Sequence, residues 1–144
     1  MRKNIGLYRG KRTDGEGWVY GYLSTKTICV PGNVHFGYII QKPSAGLYQN
    51  EWFEVDKDTI GEYIGVPDKS GNGIFEGDIL KIHNDYSGDA DPSDVFVAFR
   101  EGAFVCQYIG EETYIHFSDW NVPHVWWEII GNIYDSPELL ERKE

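Results

Sequence analysis

The chain has 144 residues and a formal charge of -10, with 13 Lys and Arg against 23 Asp and Glu, and 15% of it is aromatic. Its Trp, Tyr and Phe content excludes a disordered chain, and no apolar run reaches the roughly 18 residues of a membrane-crossing helix. The acidic total disfavours a generic basic nucleic-acid binder, and the length is that of one domain, able to bury roughly two thirds of its unfolded surface.

Taken in chain order, Arg2, Lys3, Arg9, Lys11 and Arg12 place five bases and no acid in the first 12 residues, leaving -15 on the remainder. A basic N-terminal arm of about residues 1–12 fits nucleic acid or a neighbouring acidic subunit, and the same letters fit the solvent face of a first strand. The aromatic, β-branched run 17–23 reads as a strand after the Asp-Gly-Glu-Gly turn at 14–17. Residues 34–40 form a second strand behind Pro31-Gly32-Asn33, and 51–55 a short third. Asp56 then caps an expected short helix over 57–64, whose Ile60, Tyr63 and Ile64 share one face, with Gly65 as its left-handed terminator and Pro67 beyond.

After the polar loop 68–73, residues 74–83 read as a strand, with near alternation over 77–83, and 84–93 as an acidic loop. Runs 95–99 and 103–109 flank Arg100-Glu101-Gly102 as a hairpin, and 113–117 is a further short strand. Residues 125–134 form a long aromatic strand with a bulge expected at Gly131-Asn132, and Ser136-Pro137-Glu138 opens a terminal helix. The expected fold is one mainly β (α+β) domain over 1–144, a small β-barrel with one or two short helices.

Few of these residues make a chemical constellation. Cys29 and Cys106 lie in apolar segments without metal-ligand spacing and read as buried free thiols. Asp68, Ser70, Asn72 and Gly73 imitate the start of a calcium loop, but Ile79 stands where its bidentate carboxylate belongs, so a turn is the reading. Asp85, Asp89, Asp91 and Asp94 could hold a cation weakly, though an acidic loop explains them as well. Glu76 and Asp78, two apart, would share a strand face as a carboxylate pair, but His35, His83, His116 and His124 show no spacing that supplies a partner. Trp120, Trp126 and Trp127 concentrate aromatics in a stretch without Lys or Arg between Arg100 and Arg142, which fits a core or subunit interface better than base stacking.

Several stretches together resemble the YopX-like phage and prophage proteins. These are 8–12 (Tyr-Arg-Gly-Lys-Arg), 17–21, 55–65, the distinctive 68–79 (Asp-Lys-Ser-Gly-Asn-Gly-Ile-Phe-Glu-Gly-Asp-Ile) and 128–140. Val66-Pro67 departs from the family's usual letters, and 84–94 and 120–127 fall in its variable region. The resemblance implies a β-barrel-containing fold, intertwined homo-oligomers and a phage-encoded setting, without an activity or ligand set to carry over. The expected function is therefore a non-enzymatic, oligomeric protein-interaction module in the bacterial cytoplasm, without cofactor, metal or membrane. The alternative is a nucleic-acid-linked role, through the basic arm or through acidic mimicry of DNA. Arg9, Lys11, Arg12, Trp120 and Trp126 are the candidate interaction residues.

Overall fold

The structure, a computed structural model, describes residues 7–43, 51–85, 94–120 and 123–141. The chain is mainly β and divides into two compact units, Met1–Tyr63 and Ile64–Glu144.

The first unit holds β1 (Leu7–Lys11), β2 (Trp18–Val30), β3 (Asn33–Gln41) and β4 (Trp52–Val55), with β5 (Gly61–Pro67) carrying the chain out of it. These strands are antiparallel, in the order β4-β3-β2-β1-β5, and β5 ends beside β6 (Gly73–Phe75). Alternation gives the sheet its inner face: Val19, Leu23, Ile40, Phe53 and Val55 face one way, and Val19, Ile40 and Val55 form the buried centre. Each such side chain contributes about 1.5–3 kcal/mol through the apolar area it buries.

Residues 57–64 are not the expected helix. Asp56 does cap a turn, accepting the Asp58 amide at 3.0 Å, but the helix is a three-residue 3₁₀ segment, Lys57–Thr59. Gly61 and Tyr63 are buried alternately, and Tyr8↔Glu62 and Arg9↔Gly61 pair the segment with β1. A two-turn helix containing Gly61 and β-branched Ile60 and Ile64 is marginal, whereas β1 offers these amides a ladder.

The second unit contains β7 (Asp78–Asn84), β8 (Asp94–Arg100), β9 (Ala103–Tyr108), β10 (Tyr114–His116), α1 (Phe117–Trp120) and β11 (Val125–Asn132). Their sheet has the order β10-β9-β8-β7-β11, all antiparallel. Leu80, Val95, Val97, Cys106, Val125 and Trp127 make its core with Ile74 and Phe117. The expected hairpin turn is present, with Glu101 and Gly102 at φ 51° and 81°, the doubly left-handed pair of a tight two-residue loop. The expected bulge lies between Ile129 and Gly131.

Two further expectations change. Strand 74–83 is cut by a turn at Glu76-Gly77, where Gly77 has φ 94°, so Glu76 and Asp78 do not share one strand face. The terminal helix is a 3₁₀ turn, Pro137–Leu140, that Ser136 does not cap through its side chain. Among the described residues neither sheet closes into the expected barrel: β4, β10 and β11 stand at sheet ends. The nearest approach to closure is one bridge, Arg12↔Val55, which ties the end of β1 to β4.

Candidate functional site

Arg2 and Lys3 lie outside the described residues, and from Leu7 onward the basic segment is sheet. Arg9 is only 5% exposed, and its guanidinium lies 4.7 Å from the centre of the Trp18 ring. Lys11 Nζ approaches the same ring at 5.9 Å. Arg12 turns the other way, lying 3.9 Å over Phe53 and pairing with Asp14. That guanidinium, with the Glu16 amide, holds the Asp14 carboxyl below its ordinary range. The arm's cations are thus set against rings and a carboxylate of their own unit.

Trp126 is similarly enclosed. It stacks on His83 with centroids 3.8 Å apart and planes 7° apart, and Lys69 Nζ lies 3.9 Å over it. Its indole N–H donates to Asp85 at 3.2 Å, while His83 Nε2 lies 3.4 Å from Glu128. Trp120 closes α1, and its side chain lies outside the described residues. The first and last carboxylates of the acidic loop are engaged: Asp85 by Trp126, and Asp94 by Lys81 at 3.2 Å. Asp89 and Asp91 lie outside the described residues.

The calcium-like letters build a turn. Asp68 Oδ1 accepts the amides of Ser70 and Asn72, both at 2.9 Å. Asp78, 2% exposed, accepts the Phe75 amide at 2.8 Å. Cys106 is buried as expected, but Cys29 is exposed, a correction that follows from its place near the end of a projecting hairpin.

That hairpin is the feature sequence reasoning missed. Among the described residues, β1 pairs with β2 from Trp18 to Tyr22, and β4 pairs with β3 from Tyr38 to Gln41. Residues 23–30 and 33–37 therefore continue as a two-stranded ribbon without a further strand beside it among the described residues. The core face runs on along this ribbon into Tyr38, Phe36 and Val34, which are 39%, 69% and 70% exposed. At its base is a cleft of about 750 Å³ bounded by Phe36, Tyr38, Arg12, Glu54 and Lys57. Across β3 and β4, His35 Nε2 lies 3.0 and 2.9 Å from the two Glu54 oxygens.

A family model described as YopX protein matches residues 7–141. The chain belongs to the YopX family. Two solved structures are similar in fold: YopX from Bacillus subtilis and protein EF1440 from Enterococcus faecalis. The first is 20% identical with a TM-score of 0.52, over 96% of this chain and 98% of that one. The second is 22% identical with a TM-score of 0.49, over 94% and 97%. No curated protein matches the chain. The YopX match spans both compact units, and the letters that most suggested it, 68–79, are those of the Asp68 and Asp78 turns. Among the described residues no helix is long and apolar enough to cross a membrane.

Proposed function

We propose that this chain is a non-enzymatic protein-interaction module that docks through the ribbon of β2 and β3, with a second copy of itself as its first partner. The observation that carries this reading is the row Val34, Phe36 and Tyr38, which extends the core face into solvent. An isolated two-stranded ribbon is marginal in water, and large apolar side chains on it gain from being covered. The outer edge of β3 over 33–37 also offers backbone groups to an incoming strand, so pairing and apolar burial can act together. The setting is that of the family resemblance, a phage or prophage protein in the cytoplasm of a bacterial host.

Cys29 provides the test, because it pairs with Val34 on the same face and is exposed while Cys106 is buried. An environment-sensitive fluorophore on Cys29 is expected to shift to the blue as protein concentration rises. A spectrum independent of concentration, identical to that of the Phe36→Ser variant, contradicts the reading.

A further inference from the structure

The opposite face of the same sheet carries a different surface. Residues directly across an antiparallel pair share a face, so the registers place Leu7, Tyr22, Gln41 and Trp52 in one row across β1, β2, β3 and β4. Arg9 and Tyr20 form the next row, and Lys11 and Trp18 the one after. Tyr20, Tyr22 and Trp52 are 45%, 55% and 38% exposed, large values for rings on a folded sheet. Lys26 belongs to this face too, with its Nζ 4.2 Å over the Trp52 ring. Among the described residues of these strands, the carboxylate on this face is Glu54, and it is held by His35.

We propose that this face of β1 to β4 binds single-stranded nucleic acid, with bases stacked on Tyr20, Tyr22 and Trp52 and the backbone drawn by Lys26 and Lys11. The rings have the spacing for it. Tyr20 and Tyr22, two apart on one strand, are about 7 Å apart, and Trp52 lies two strands from Tyr22, about 10 Å away. Splayed bases of a single strand reach such rings, whereas the stacked interior of a duplex does not present its base faces.

The charge pattern favours this occupant over a second copy on this face, because two copies meeting here would bring cations together. The 1–63 half has eight bases against seven acids, while residues 64–144 have five against sixteen, so attraction for an anion is concentrated in the half that holds the rings. Lys26 does not block Trp52. An exposed cation over a ring is worth about 2- to 5-fold in a binding constant and a stacked base about 5- to 150-fold, so the base displaces the ammonium toward a phosphate.

The test uses the full chain and a fluorescein-labelled oligothymidylate of about 20 nucleotides, longer than one such platform occupies. A saturable rise in anisotropy with quenching of tryptophan fluorescence is expected at low salt. Tyr22→Ala and Trp52→Ala should each weaken binding at least about 5-fold. Tyr22→Phe should bind as wild type, which separates stacking from any loss of fold. Lys26→Ala should reduce the slope of log K against log salt by about 0.7. No rise up to about 100 micromolar overturns the proposal, as does equal affinity for a duplex of the same length, which marks a mere polyanion effect. Light scattering that grows with protein alone and is abolished by Tyr22→Ala overturns it in favour of a second copy on this face.

Discussion

Gly21 of β2 passes so close to Gln41 of β3 that a Cβ at position 21 would lie 2.0 Å from the Gln41 carbonyl oxygen. No rotamer change relieves that contact, because both partners are backbone. The two long strands therefore cross in this manner only because position 21 has no side chain, and the crossing aims the ribbon that carries Val34, Phe36 and Tyr38.

Gly21→Ala should accordingly cost about 3 kcal/mol, at the upper end of what overpacking a core does. Gly15 is the control. It has φ 82° but nothing within 4 Å of an added Cβ, so Gly15→Ala should cost only about 1 kcal/mol of backbone strain. Urea denaturation of the two variants checks the ranking, and a Gly15 variant as unstable as the Gly21 variant would contradict it.

The turn between β8 and β9 asks for left-handed backbone at both central positions and receives glycine at only one. Glu101→Asn should therefore raise the melting temperature, by up to about 1 kcal/mol of added stability, because asparagine tolerates φ 51° better than glutamate. Gly102→Ala should lower it by a similar amount. Thermal unfolding followed by circular dichroism gives both signs.

Burial pushes the Cys106 thiol from its ordinary 9.0 up to about 12, whereas Cys29 is exposed. A disulfide reagent at pH 8 should thus modify one thiol in the folded chain and two after unfolding. The folded thiol keeps its proton to about 12 while the unfolded one loses it near 9.0. This group's contribution to stability is therefore complete below pH 9 and falls as pH climbs toward 12. Stability that rises between pH 9 and 11 in a Cys29→Ser background, relative to one also carrying Cys106→Ala, would contradict the assignment.

What could be read in the letters was mostly local. Glu101-Gly102 and the bulge near Gly131 announce themselves, because the backbone geometry they need is written in two or three residues. Residues 57–64 misled, since Ile60, Tyr63 and Ile64 fit a helical face and the ladder that overrides them comes from β1, some fifty positions earlier. The far half of β2 was hidden for the same reason: 24–27 is Ser-Thr-Lys-Thr, without alternation, and it is a strand because β3 pairs with it. The His35–Glu54 pair and the row Tyr22, Gln41, Trp52 depend on register across three strands, which no spacing in one dimension specifies. Arg9, Lys11 and Arg12 were visible as bases, but their rings were not, so the letters left open an arm or the face of a first strand, and from Leu7 onward the segment is strand.

The ribbon is the account's centre, and variants at its exposed apolar row test it without disturbing the core. Val34 and Phe36 are 70% and 69% exposed, so replacing both with serine should leave the fold of the single chain intact, while the unfolding midpoint loses its dependence on protein concentration. The most direct measurement is light scattering coupled to size exclusion at about 10 micromolar, where a micromolar self-association is visible. The wild-type chain should elute at a multiple of 16.5 kDa, and the Val34→Ser, Phe36→Ser double variant at 16.5 kDa. A wild-type mass of 16.5 kDa under these conditions would contradict the account.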